Sequence, residues 1–445
     1  MGGKLNCGLK AIKIHVQHRK QIVLSDPTRL AEFLSDMMYG YRDDTLRQVS
    51  PEAYLQDFEY LCDISNKVNH DNDVYTAARR AAKLAQNHYK KGSLSSLMGV
   101  MSSSIYKSGT VGSHQFRELE RKVANYINKA PYRNVPCSSP ECGNFAIARS
   151  HTIQRQKVLE TIVDASNSVY QTKQHPDNHS DLLHKVGWKE ASTFPGYCEA
   201  CEVHNFRDVE SSSAMLTRKT ASLLIWRAAC LTRYRRAVEV KERARIVSDT
   251  KAYEIARELD DTNIPIGSAM ILKTRISAFL SIDDWLQVFQ KSDIGQHKRF
   301  RYFAVELEGA PFVVAGAAPV YFDFQGKMLS SPRKFESSAA VLCFASFVVN
   351  GKPFIVFGYD NTERKARKFV EQMRDQSHEM LAAYLPQIVL ANCDTVYFSP
   401  KWWDNNANEL DRHIVFHSVF MGFSRMLFPW WGNIRGLKVV GVIDI

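Results

Sequence analysis

The 445-residue sequence contains no apolar run of the roughly 18 residues that a membrane-spanning helix needs. No membrane partner is therefore expected. No apolar segment of about 7–15 residues follows the basic start MGGKLNCGLKAIKIHVQHRKQ, so a secretory leader is not expected. Gly2 and Cys7 give no acylation signal, because Asn6 stands where that motif requires Ser or Thr. No internal repeat is present. From residue 299 onward there is no Gly-rich phosphate loop, no Ser-His-Asp spacing and no paired carboxylates, so an interaction surface for a protein partner is the expected role of that part.

Cysteine is too sparse for a disulfide scaffold, with nine in the chain, an odd number. Cys7, Cys62, Cys230, Cys343 and Cys393 are scattered through apolar or helical surroundings and are expected to be small buried hydrophobes. This usage fits a reducing compartment, and a cytoplasmic location is expected. The remaining four, Cys137, Cys142, Cys198 and Cys201, form two close pairs, which in such a compartment indicate metal before disulfide.

Hydrophobic residues make up 45% of the chain and charged residues 24%, ordinary for a globular protein with a normal core. The length suggests two or three domains, and the patterning predicts an α+β protein in four regions. Residues 1–130 read as a helical N-terminal domain. Asp26-Pro27 and Ser50-Pro51 each place a capping side chain before a proline at the first helical position. Leu30, Phe33, Leu34 and Met37 then follow at helix spacing, and VYTAARRAAKLAQNHYKKG stops at a glycine after two lysines. The Ser- and Gly-rich stretch 93–113 reads as a loop or hinge.

Residues 131–211 have little periodicity and many Cys, His, Pro and Gly, so something other than an apolar core must order them. Residues 212–298 read as a basic helical region. Residues 299–445 read as an α+β domain with a largely antiparallel sheet: RYFAVELE, FVVAGAAPVYFDF, AVLCFASFVVNGKPFIVFGYD, DTVYFSP and GLKVVGVIDI are strand-like, with a charged helix near 362–384. Asn350-Gly351 between apolar runs is a strong hairpin signal.

Cys137 and Cys142 are separated by four residues, and Cys198 and Cys201 by two, after Pro195-Gly196. Zinc prefers four thiolate or imidazole ligands in a tetrahedron, and two knuckles delivering two sulfurs each meet that requirement. A structural zinc ion on Cys137, Cys142, Cys198 and Cys201 is therefore expected, with His204 as a further candidate three residues beyond the second knuckle.

The arrangement resembles the HNH endonucleases, the ββα-metal or treble-clef nucleases, over about 75 residues from Cys137 to Glu210, a sixth of the chain. Zinc-containing members carry a cysteine pair, a hairpin strand ending in the general-base histidine, and a second pair at a helix bearing a metal-binding His or Asn. The resemblance implies that FAIARSH ends on the base, His151, and that His204 and Asn205 stand at the metal-binding positions. In a variant among uncharacterised bacterial HNH-like proteins, Cys-x2-His supplies zinc ligands. On that alignment His204 binds zinc, and one of Cys198 and Cys201 is spare.

The family's chemistry uses the histidine to activate a water and a divalent ion, Mg2+ or Mn2+, to stabilise the scissile phosphate and the leaving oxygen. Two departures stand out. Ser150 occupies the position where many members have a metal-binding Asp, and Ser192-Thr193-Phe194 replaces the usual Asn before the second pair. The loop HPDNHSD (175–181) offers Asp177 and Asn178 as substitute donors, or is a solvated loop.

The formal net charge of +11 favours a polyanionic partner, DNA or RNA. Within 215–247 there are nine Lys or Arg against two Glu. Leu223, Trp226, Cys230, Tyr234 and Val238 mark one helix face, and Arg227, Arg233, Arg235, Arg236 and Lys241 lie off it, either solvated or laid along phosphates. Trp402, Trp403, Trp430 and Trp431 are expected in a core or an interface before a base stack. Two functions follow from the resemblance. One is a metal-dependent nuclease, in a setting such as bacterial antiviral defence. The other is a catalytically inactive, zinc-stabilised nucleic-acid- or protein-binding component of a multi-protein system.

Overall fold

A computed structural model describes residues 60–89, 134–172, 182–248, 263–291, 298–324, 340–390, 395–420 and 433–445, with a few positions inside these ranges excepted. The caps at Asp26 and Ser50, the 93–113 stretch, the HPDNHSD loop, Trp430, Trp431, Cys7, Cys62 and Cys393 lie outside the described residues.

In chain order the elements are α1 (Val74–Tyr89), β1 (Ser150–His151), β2 (Ser168–Thr172), β3 (Leu183–Gly187), β4 (Thr193–Phe194), α2 (Glu199–Glu210), α3 (Arg218–Ser248) and α4 (Asn263–Lys291). Then come β5 (Phe300–Glu308), β6 (Phe312–Pro319), β7 (Val341–Val349), β8 (Lys352–Asp360), α5 (Arg364–Arg374), α6 (His378–Leu390), β9 (Thr395–Phe398), α7 (Pro400–Asn405), α8 (Glu409–Phe420) and β10 (Lys438–Asp444). The expected α+β class holds, with an antiparallel sheet and helices in the C-terminal part and the four cysteines central in the chain.

Eight strands form one sheet in the order β10-β5-β8-β7-β6-β9-β2-β3, every pairing antiparallel. Asn350 and Gly351 turn β7 into β8 with φ of 52° and 77°. Positive φ at both central residues is what a type I′ hairpin turn demands. All nine residues of β7 are buried, because helices cover both faces of the sheet and a strand so covered has no solvent side. On one face Cys343, Ala345, Phe347, Val356 and Tyr302 pack against α3 and α4. On the other, Phe344, Phe357, Val314 and Phe398 pack against α5, α6 and α7. Trp402 and Trp403 belong to that second core, stacked near Phe398, which is the structural role expected of them. The charged helix expected at 362–384 is two helices. Ser377 breaks it, its hydroxyl accepting from the Met380 amide as α6 begins.

The sheet also reaches back into the middle of the chain. Its last two strands, β2 and β3, come from 168–187, and β2 joins through Tyr170 opposite Phe398 and Gln171 opposite Tyr397. The segment expected to lack apolar support is therefore partly held by the C-terminal sheet.

The largest departure concerns α3. Its periodicity predicts one buried stripe, but residues 221–233 are buried without interruption. The sheet lies on one side of the helix, α1 and α4 on another, and α2 on a third. A helix enclosed on all sides takes its charged residues inside with it, and each must then be paired.

Candidate metal centre and the cluster beside it

The first knuckle is a tight hairpin. Pro136 bridges Phe145, the Cys137 amide donates to the Asn144 carbonyl (3.0 Å), and Glu141 takes a left-handed φ of 60° to bring Cys142 round. The second knuckle forms where β4 runs into α2. At Gly196 a Cβ would sit 2.4 Å from the Phe194 ring, so any other residue must displace that buried ring. The Gly196 carbonyl accepts from the Ser138 amide at 2.8 Å, tying one knuckle to the other. Cys198 caps α2, and Cys201 lies in its first turn.

This places the sulfurs of Cys137, Cys142, Cys198 and Cys201 within 4.8 Å of one another. All four are free thiols. The Cys142 and Cys198 sulfurs are 3.8 Å apart. A tetrahedron of sulfurs each about 2.3 Å from zinc has edges of about 3.8 Å, whereas a disulfide would need about 2.05 Å. The surroundings also suit thiolates: the Cys198 amide donates to the Cys137 sulfur (3.2 Å) and the Asn144 side-chain amide points at the Cys198 sulfur (3.9 Å). A hydrogen bond from the Cys201 amide lowers the Cys198 thiol to about 7, as a helix N-terminus does. Burial raises Cys137, and raises Cys201 to about 12. Four adjacent sulfurs of this kind ionise together only around a cation. The donor set therefore fits zinc, and four protein sulfurs fill a tetrahedron with no open position for substrate.

His204 is not in this group. It is exposed on α2, and among the described residues only the four sulfurs converge. Asn205 is also committed elsewhere: its side-chain amide donates to the Ser139 hydroxyl (2.8 Å), fastening the first knuckle to α2.

His151 lies on the other side of α2. It pairs with Thr193 across the short β1–β4 ladder and is half-buried. Burial first, then the Arg155 charge, holds its imidazole below the usual histidine range, so it is neutral at pH 7. Its Nδ1 is buried without a partner among the described residues. Arg227 and Glu210 lie near enough to act on its charge. His204, two residues from Glu202, lies about 200° round the helix and faces away.

Sequence reasoning missed the cluster that stands beside His151. Arg227, 1% exposed, donates to Glu202 Oε1 (2.8 Å) and Glu210 Oε1 (2.7 Å) and lies over the Phe206 ring at 3.8 Å. Burial raises the Glu202 carboxyl, and Arg227 opposes that rise. A guanidinium between two carboxylates is a fixed cation, with a salt bridge on each side. The spacing of Glu202 and Glu210, two helix turns apart on one face, was the signal in the sequence.

A second basic residue of α3 is likewise buried inside the protein, and others are paired nearer the surface. Arg233, 6% exposed, lies 4.3 Å over the Tyr75 ring and donates to the Ser138 hydroxyl at 3.2 Å. Arg236 pairs with Glu239 (2.6 Å), and Lys241 bonds the Asp71 carbonyl. Arg235 is half-buried. The expected phosphate-facing row is therefore corrected for Arg227 and Arg233, whose charges neutralise internal carboxylates or meet a ring and a hydroxyl. No described helix is long and apolar enough to cross a membrane. Comparison with models of protein families, with curated proteins and with solved structures finds no match for this chain.

Proposed function

We propose that this chain is a zinc-stabilised nucleic-acid-binding component whose HNH-like frame carries no catalytic metal. Zinc on Cys137, Cys142, Cys198 and Cys201 would fix the two knuckles to each other, adding a tetrahedral cross-link to the apolar contacts of Ile153, Val169, Tyr197 and Phe206. The observation that carries the non-catalytic reading is Arg227. A divalent ion beside His151 would need carboxylate oxygens and an uncompensated negative charge, whereas Glu202 and Glu210 each give Oε1 to the buried Arg227 cation, which opposes a second cation at the free Glu202 Oε2. The net charge of +11 and exposed cations on the module, Arg149, Lys189 and Arg207, favour a phosphate-bearing partner.

One observation favours the nuclease reading: a neutral, half-buried imidazole at the base position. One experiment separates the two. Purified protein is incubated with plasmid and with RNA in Mg2+ or Mn2+, beside His151→Ala, and binding is measured across a salt series. Salt-sensitive binding without cleavage is the expected outcome, the affinity falling linearly on a log–log plot against salt. Divalent-dependent cutting abolished by His151→Ala establishes the nuclease. Binding that salt does not move points to a protein partner.

A further inference from the structure

Ser138, the residue after the first zinc-facing cysteine, is 3% exposed and joins four parts of the fold. Its amide donates to Gly196 of the second knuckle, and its carbonyl accepts from the Gln290 side chain of α4 at 2.8 Å. Its hydroxyl accepts from Arg233 of α3 at 3.2 Å. Arg233 lies 3.8 Å from Asp283 of α4, which in turn receives two bonds from Arg79 of α1, at 2.9 and 3.1 Å. Beside this chain of polar contacts runs an apolar one. Val135 at the base of the knuckle is buried in the same cluster as Tyr75 and Ala78 of α1, Ala237 of α3 and Phe279 of α4.

We propose that the four-cysteine centre controls the docking of α1, through the chain Ser138–Arg233–Asp283–Arg79 and the Val135 contact. The inference rests on zinc occupying the four sulfurs. The physical reason is that Arg233 is buried, and its charge is tolerated only while its partners stay in place. If the knuckle opens, Ser138 withdraws an acceptor from Arg233 and another from Gln290, and Val135 leaves the α1 cluster. Water then reaches Arg233 and Asp283, the Arg233 charge beside Asp283 is lost, and the carboxylate that anchors Arg79 keeps only Gln287 of its own helix. The zinc state is thereby passed to a helix distant in sequence, and coupling between two sites is reciprocal. Undocking α1 must weaken zinc binding by the factor by which zinc favours the docked helix.

The test uses the full chain, with zinc content measured first by elemental analysis. About one zinc per chain establishes the premise; absence of zinc overturns the metal reading and the coupling with it. Amide hydrogen exchange is then followed on α1, on 134–147 and on β5–β8, with and without a chelator. Removal of zinc is expected to speed exchange on α1 roughly tenfold or more, together with 134–147, while β7 and β8 keep their protection. In the reciprocal arm, Arg79→Gln, on a half-exposed side chain, is titrated against a zinc-binding dye. A zinc affinity weakened roughly five- to tenfold supports the coupling. If zinc is bound but α1 exchanges at the same rate without it, or if Arg79→Gln binds zinc as tightly as the unaltered chain, the proposal is overturned.

Discussion

The stretch 134–151 and the hairpin β7–β8 are of similar length, and each turns back on itself, yet they are held by different forces. In β7–β8 the ladder runs without a break from Leu342 opposite Tyr359 to Val349 opposite Lys352, and nearly every side chain is buried between two helical layers. In 134–151 one isolated bridge and a few loop hydrogen bonds replace the ladder, Asn134 and Glu141 sit at positive φ, and Phe145 is 60% exposed. The first can be stable on apolar burial alone. The second leaves its large side chains in water, so the four sulfurs must supply what burial does not.

The comparison breaks most sharply at the metal. Cys201→Ser, or chelation, is expected to unfold 134–151 and the start of α2 while leaving the ladder of β5 to β8 intact. Structural zinc sites are worth about 10–16 kcal/mol in isolated zinc-finger peptides, more than most single domains hold in reserve. Hydrogen exchange resolves the two regions. Uniform loss of protection across both would mean that they are one cooperative unit and that the contrast drawn above is wrong.

The reverse experiment removes apolar volume instead. Phe344 and Phe357 are fully buried and face each other across the β7–β8 ladder, with ring centroids 6.1 Å apart. Phe344→Ala is expected to lower stability by about 3–5 kcal/mol, read from the denaturant midpoint, with zinc stoichiometry unchanged. Arg227→Ala stands between the two cases. It leaves Glu202 and Glu210 without their shared cation, an expected loss of about 3–5 kcal/mol, as for a broken buried ion pair. Glu210 is exposed and takes up water, which pulls the value toward the lower end.

Much of this contrast is legible in the sequence, for physical reasons. The Asn350-Gly351 turn, the strands around it and the paired cysteines are local signals. Turn chemistry, alternation and ligand spacing act over a few residues and need no tertiary context. The misreadings are all long-range. Arg227 and Arg233 look like surface cations because helix periodicity counts only one apolar face, whereas α3 is enclosed by the sheet, α1, α2 and α4. His204 and Asn205 suit a metal site by type and spacing, but His204 is exposed, Asn205 donates to Ser139, and α2 turns Glu202 and Glu210 toward Arg227. The union of β2 with β9 links residues more than two hundred positions apart, and no motif announces such a pairing.

The smallest expected effect is electrostatic and sits at the end of the first region, at His151. Its folded-state pKa lies below the unfolded value because burial and then Arg155 disfavour the imidazolium. The unfolded chain therefore binds more protons in the window between the two values, so stability rises with pH through that window and is lost as pH falls below the ordinary histidine pKa of about 6.5. The His151 ring resonances, followed by NMR between pH 4.5 and 7.5, are expected to titrate below about 6.5. Arg155→Gln is expected to move the midpoint upward, because it removes the second-largest cause while leaving burial in place. His151→Asn should flatten the pH dependence of the denaturant midpoint over the same range at unchanged zinc content. A midpoint at or above the ordinary histidine value would place the ring in water. The β1–β4 ladder would then be open in solution, and α2 would be held on the sulfur side alone.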